Sequence, residues 1–173
     1  MIRSRGETFA LILRAGRGAG LPQGHAEDVA RAAVIALVAD RSCADGIVAA
    51  LSAPRAPVTC RDDGATLHFP AAPVVWAGPM IRDALGVGAA RIVAEKVDCP
   101  ALLAAMLPGA ALDRDGEKVI VRRQGQPSPT PRGPVDVAPA FLAACEALAA
   151  RTLVPDTDLS RQAGAGAGGR DAD

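Results

Sequence analysis

The chain of 173 residues has almost no aromatic side chains: one tryptophan, three phenylalanines and no tyrosine. It also has no net charge, since 19 basic residues balance 19 acidic ones. A protein that binds duplex nucleic acid needs an excess of lysine and arginine, and one that binds single strands needs aromatic platforms for the bases. These two absences exclude nucleic acid as an expected partner.

Long apolar runs are missing as well. No stretch reaches the roughly 18 uninterrupted apolar residues of a membrane-spanning helix. The basic start of the chain is followed by Arg14 and Arg17, which interrupt the apolar core that a signal peptide would need. The sequence therefore predicts a cytoplasmic protein with no membrane partner.

Metal ligands and reactive thiols are scarce. Only two histidines are present, and the four cysteines are widely spaced: Cys43, Cys60, Cys99 and Cys145. A structural zinc site needs ligands at short, paired spacings. Scattered cysteines in a cytoplasmic chain usually serve as small hydrophobic residues. We expect no metal, no cofactor and four structural cysteines, with one catalytic thiol as the alternative.

What the chain does have is apolar content, which makes up half of its residues and is mostly alanine, valine and leucine. A chain of this length buries roughly two-thirds of its unfolded surface in one domain. Apolar residues at helical spacing, with caps and stop residues beside them, predict helices at residues 7–17, 25–40, 44–51, 80–85, 100–107 and 137–151.

Strand signals occupy the middle of the chain. Residues 58–60 and 65–69 flank an Asp-Gly turn and predict a hairpin, and residues 91–97 and 118–122 predict two more strands. Residues 74–76, which lie among three prolines, predict a buried extended stretch. Helices followed by mixed elements indicate an α+β domain with a small mixed or antiparallel sheet. We place this domain at residues 1–159 and a glycine- and alanine-rich tail at 160–173.

The tail carries four glycines within residues 164–169. This spacing matches the glycine pattern of dinucleotide-binding proteins, but that pattern requires a helix after it, and only four residues follow. A nucleotide cofactor is therefore not expected. Glycine loses much backbone entropy on ordering, so the tail is either an unstructured end or a segment held against a ligand.

The second alternative gives the main candidate site. An arginine suits a carboxylate or phosphate, and glycine amides can line an anion. The residues of this predicted anion cradle are Ser160, Arg161, Gly164, Gly166 and Gly168.

A second glycine cluster spans residues 16–20 and includes Arg17, which is expected to close the cradle. Its simpler interpretation is a connection between two helices. His25, just after it, is the one residue that we nominate as a general acid or base. His68 and the acidic pair Asp62 and Asp63 are interpreted as strand and turn residues without a catalytic role.

Two stretches of this sequence resemble an uncharacterised bacterial family, the domain-of-unknown-function family numbered 3726. One is the Gly-Ala-Gly-Leu-Pro turn that leads into a helix at residues 17–33, and the other is the Val-Pro, Ser-Arg and Gly-Ala-Gly-Ala-Gly series at residues 150–173. Leu153 and Gln23 stand where the family has aromatic residues, so the chain resembles a divergent member. The resemblance favours a functional tail and implies no reaction.

Two functions remain open at this point. The first is a small-molecule metabolic protein, with enzyme activity undecided, that binds a compact anionic metabolite at the C-terminal segment. The second is a non-catalytic accessory subunit that docks on a larger enzyme through the apolar helix at residues 25–40. Because the chain is rich in small residues and poor in aromatic ones, we also expect a homo- or hetero-oligomer.

Overall fold

The computed structural model describes residues 1–124 and 129–152, and it has the expected α+β architecture. Its six helices are α1 (Arg5–Gly18), α2 (Gln23–Ala39), α3 (Ala44–Ser52), α4 (Val74–Gly86), α5 (Pro100–Met106) and α6 (Pro139–Ala150). Its seven strands are β1 (Ile2–Arg3), β2 (Arg61–Asp62), β3 (Leu67–Phe69), β4 (Arg91–Glu95), β5 (Ala110–Asp115), β6 (Lys118–Arg123) and β7 (Val135–Asp136). A short 3₁₀ turn, Arg41–Cys43, precedes α3.

Five strands form a mixed sheet in the order β2-β3-β4-β6-β5, in which only β3 and β4 run parallel. Side chains alternate between the two faces of a strand. Phe69, Ile92, Ala94, Val119 and Val121 all lie on one face and are buried in a core that they share with the helices. The other face carries most of the sheet's charged side chains and is open to solvent.

Helix α2 is the central helix of the molecule. It packs against α1, α4 and α5, and eight of its residues between Ala26 and Leu37 are buried in the same core, while Ile35 is partly exposed. Most of the apolar surface of α2 is therefore covered by the chain's own helices rather than available for docking on a larger enzyme.

Helices α1 and α6 pack side by side. Both begin next to the small β1–β7 ladder, in which Ile2 faces Asp136, and both end at a contact between Gly18 and Leu148. The two helices therefore run in the same direction. A Ser4–Glu7 capping box, with both reciprocal hydrogen bonds present, fixes the start of α1.

The prediction for residues 74–76 is wrong, because this stretch forms the start of α4 rather than an extended segment. The amide of Val74 donates a hydrogen bond of 2.8 Å to the Asp98 carboxylate, which is distant in sequence and serves as the missing cap. Val74, Val75 and Ile81 are buried in the core. Tertiary contacts thus outweigh the preference of three prolines and two valines for extended backbone.

Two smaller predictions are also corrected. The hairpin exists, but its first strand is Arg61–Asp62 rather than residues 58–60, because the tight turn begins at Asp63. Helix α2 starts at Gln23 rather than at residue 25, so Glu27 and Asp28 lie beyond its first turn. Asp28 instead forms an ion pair with Arg82 of α4.

Candidate functional site

The open face of the sheet has a cleft of about 520 Å³ at its β2–β3 end. The hairpin, the segment after it and the end of β4 form its walls, which consist of Arg61, Asp62, Asp63, His68, Pro70 and Glu95. This volume lies within the range of small-molecule sites, about 300–1,000 Å³. The cleft contains three carboxylates, an imidazole and a guanidinium, which makes it the candidate site.

The hairpin turn holds the Asp63 side chain in a single orientation. Its Oδ1 accepts hydrogen bonds from the amides of Ala65, at 3.0 Å, and Thr66, at 2.7 Å. Gly64 has a φ of 86°, in the left-handed region that glycine adopts without strain. The Ala65 amide, the His68 side chain and the Thr66 amide together lower the pKa of Asp63 below its usual value of 3.8. The carboxylate is therefore ionised at neutral pH.

His68 is oriented by this carboxylate. Its Nε2 lies 3.0 Å from Oδ2 of Asp63. An ionised carboxylate can only accept, so Nε2 carries the hydrogen and donates it. The neutral ring then has a lone pair on Nδ1. A histidine that is fixed by a carboxylate through one nitrogen and carries a lone pair on the other has the arrangement of a general base.

The cleft also contains groups that can bind charge. Arg61 pairs directly with His68 in the β2–β3 ladder, so their side chains share a face with Cβ atoms about 4.5–5.5 Å apart. Within the described ranges Arg61 has no ion-pair partner, whereas Glu95 is paired with Lys118 at 3.3 Å. Arg61 is the one guanidinium among the residues that line this cleft, and its planar, multidentate donors suit an anionic group.

Arg17, the described member of the predicted cradle, lies exposed near the end of α1. Its glycine cluster has a packing function. A Cβ on Gly16 would lie 3.2 Å from the Cβ of Ala26, one on Gly18 would overlap the Leu148 carbonyl oxygen, and Gly20 has a φ of 87°. The interpretation as a helix connection therefore explains all three glycines.

His25 lies in the first turn of α2, close to Trp76. Their ring centroids are 6.1 Å apart in an edge-on arrangement, and the Arg55 guanidinium carbon lies 5.0 Å from the centroid of the tryptophan ring on α4. Nδ1 of His25 is buried without a hydrogen-bond partner among the described atoms. A proton placed there would have no acceptor, so the geometry favours a packing role for this nitrogen over proton transfer.

The structure does not place the predicted cradle. Ser160, Arg161, Gly164, Gly166 and Gly168 lie outside the described residues, and so does the second stretch of the family resemblance, apart from its first three residues. The last described residues, Arg151 and Thr152, follow directly on the helix end that contacts Gly18. The chain therefore continues towards the cradle residues from a point beside the Arg17 turn.

Sequence reasoning missed the His68 cleft because each of its residues has an ordinary local explanation. Asp63 reads as a turn residue and His68 as one member of an alternating strand. The available signal was their combination, since a hairpin with Asp-Gly in its turn brings the aspartate next to a residue early in the second strand. Glu95 comes from a distant strand, and no local pattern predicts its position.

Comparisons with known proteins returned no match among family models, curated proteins or solved structures. The resemblance to the family numbered 3726 therefore stays a prediction. Among the described helices, none combines the length and the apolar character needed to cross a membrane.

Proposed function

We propose that this protein binds a compact anionic small molecule in the His68 cleft and that His68 transfers a proton to or from it. The observation that carries the proposal is the pairing of His68 with a carboxylate that two backbone amides hold in place. Most surface histidines have no such fixed partner. The arrangement prepares the ring for a function that depends on its orientation.

The chemistry follows from the two nitrogens. Nδ1 accepts a proton from the bound molecule, and the positive charge that develops on the ring is stabilised by Asp63 through Nε2–H. Arg61, on the same face of the hairpin, binds the anionic group and so positions the acidic proton near the imidazole. Asp63 acts through His68 and is a positioning residue.

The C-terminal cradle remains a second candidate site for the same class of ligand. The contact between Gly18 and Leu148 supports it, because it brings the start of the C-terminal segment beside the Arg17 turn. Electrostatics argue against an anion at this place, since α1 and α6 both end here and helix C-termini carry partial negative charge. Arg17 and Arg151 are well placed to balance that charge without any ligand.

The role of accessory subunit remains the alternative, and most of the apolar residues of α2, on which it is based, are buried within the chain. Its test is co-purification from the native host followed by mass spectrometry. A protein partner present in equal amount would favour this role over that of an independent enzyme.

The proposed site is tested by ligand-induced shifts in melting temperature with a panel of small carboxylates and phosphates. The variants are Arg61→Gln in the cleft, Arg17→Gln as its matched control, Arg161→Ala and a chain that stops after Leu159. We expect the shift to disappear in Arg61→Gln and to persist in the other three. Loss in Arg161→Ala and in the shortened chain, with Arg61→Gln unaffected, would assign the ligand to the C-terminal segment.

Proton transfer needs a separate measurement. Ligands that bind and carry an acidic C–H are incubated with the protein in deuterated water, and exchange is followed by NMR. His68→Gln should abolish catalysed exchange while the melting shift remains. Exchange that continues unchanged in this variant would refute a role for His68 as the base.

A further inference from the structure

We propose that Cys43 and Cys99 form a dithiol site that closes to a disulfide when the protein meets a small-molecule disulfide. The site uses none of the residues that line the His68 cleft. It is therefore independent of the function proposed above.

Cys99 lies against the first turn of α3, the helix whose N-cap is Cys43. Cys43 is the N-cap of this helix and Gly46 is its third residue. A Cβ on Gly46 would lie only 3.3 Å from Sγ of Cys99 and 3.9 Å from its Cβ. Cys99 is itself the N-cap of α5, so the starts of two helices meet here.

Helix geometry places Cys43 near the same point. Residues three apart on a helix have Cβ atoms about 5–6 Å from each other, so the Cβ of Cys43 lies at about this distance from the Cβ position of Gly46. Cys43 has nearly helical dihedral angles, with φ −75° and ψ −5°. Because Gly46 has no side chain, nothing on that residue stands between the two thiols.

The electrostatics agree with this proximity. Burial, and next the charge of Cys99, raise the pKa of the Cys43 thiol to about 11. Such an influence of one thiol on another requires that they lie near each other. Sγ of Cys43 now donates to the Asp40 carbonyl oxygen at 2.9 Å, a bond that rotation of the side chain would break.

The two thiols differ in exposure to solvent, and this difference sets the order of the two exchange steps. Cys43 is half-buried and can be reached from solvent, whereas Cys99 is only 4% exposed. The Cys43 thiolate attacks a small disulfide RSSR, which forms Cys43–S–S–R and releases one RSH. The deprotonated Cys99 then attacks Sγ of Cys43 and displaces the second RSH. Two protein thiols are oxidised and one RSSR is reduced to two thiols.

The experiment exposes the folded full-length chain to glutathione disulfide, blocks the remaining thiols and maps all four cysteines by mass spectrometry. The internal control is Cys60, which is exposed. The pKa of its thiol is raised by partial burial and by the charge of Asp62, not by another cysteine. We expect a Cys43–Cys99 cross-link in the wild type and a persistent mixed disulfide at Cys60.

The matched variant is Cys99→Ala. It should accumulate the mixed disulfide at Cys43 to a level about tenfold above the wild type, since a neighbouring thiol at high effective concentration no longer removes it. Equal mixed disulfide at Cys43 in both proteins, or a Cys43 that stays reduced while Cys60 is fully modified, would overturn the proposal. The wild-type map alone decides the matter if the variant fails to fold.

Discussion

Gly18 is the residue at which helix α1 meets the backbone of α6. A Cβ at this position would overlap the Leu148 carbonyl oxygen, and a backbone atom has no alternative rotamer to adopt. Gly6, on the same helix, offers a matched comparison, because a Cβ there would meet no described atom within 4 Å. Substituting each glycine by alanine therefore separates the effect of close packing from the effect of glycine's backbone entropy.

We therefore predict opposite outcomes for two identical substitutions. Gly18→Ala should lower the free energy of unfolding by about 3 kcal/mol, since overpacking pushes the two helices apart. Gly6→Ala should raise it by about 0.5 kcal/mol, because alanine loses less backbone entropy in a helix. Urea denaturation measures both. If Gly18→Ala were as stable as the wild type, the close contact between α1 and α6 would not exist.

Asp63 makes a prediction about pH. Its pKa is lowered in the folded state, so its hydrogen bonds stabilise the hairpin above the usual value of 3.8 and lose this effect as the pH falls through the lowered pKa. We expect the amide NMR signals of Ala65 and Thr66 to titrate together below pH 3.8. Asp63→Asn should remove this titration. Signals that moved at or above the usual value would contradict the hydrogen-bonded turn.

At the scale of elements, α2 and α4 are joined by the ion pair between Asp28 and Arg82. The Asp28 side chain is only 16% exposed, whereas Asp83, the other partner of Arg82, is 70% exposed. The hydrogen bond from Arg82 to Asp28 is the main reason that the pKa of Arg82 is raised. No local pattern in the sequence identifies Asp28 as the partner of Arg82, because the two residues lie in helices that are far apart in the chain.

This difference in burial predicts a difference in stability. Asp28→Asn should lower the free energy of unfolding by about 1 kcal/mol, because it weakens a partly buried, charged hydrogen bond. Asp83→Asn should change it by less than about 0.3 kcal/mol, as exposed ion pairs contribute little. Thermal or urea unfolding of both variants is the measurement. Equal effects would show that Arg82 makes no special contact with Asp28.

The elements also show how far the sequence could be interpreted. Helices α1, α2, α3, α5 and α6 and strands β4 and β6 were predicted near their observed positions, because apolar periodicity and local caps determine them. The second half of α4 was predicted at residues 80–85, but its start at Val74 was not, because the cap, Asp98, comes from a distant loop. Strand β5 is not among the predicted strands, because its residues Ala110–Asp115 are neither clearly alternating nor rich in β-branched side chains.

The candidate site was likewise predictable only where local sequence signals determine it. The Asp63 turn was predictable from Asp-Gly, whereas the approach of Glu95 depends on the parallel pairing of β3 with β4, which no local signal determines. Arg17 and the glycines beside it stood out in the sequence because they are unusual. The structure accounts for Gly16 and Gly18 by close packing and for Gly20 by its positive φ.

At the scale of the whole molecule, the described helices and the sheet share one core, and the chain's single tryptophan, Trp76, reports on it from α4. We predict that Trp76 fluorescence and far-ultraviolet circular dichroism lose their native signals at the same urea concentration. A tryptophan transition that came clearly earlier would show that α4 unfolds separately from the remaining helices.

The expectation of an oligomer also belongs to this scale and stays a prediction. Light scattering coupled to size exclusion tests it directly. A monomer that persists at high protein concentration would refute self-association and leave only a different partner chain.

The pairing of β1 with β7 has a consequence for how the chain matures on the ribosome. Residues 2 and 3 pair with residues 136 and 135, and α1 contacts Leu148, so the earliest part of the nascent chain has no native partner until the last described helix is made. At about 5–20 residues per second, translation imposes a delay on the order of 10 s. During this interval the face of α1 that α6 will cover has no native partner, and it is the surface that a chaperone would encounter first.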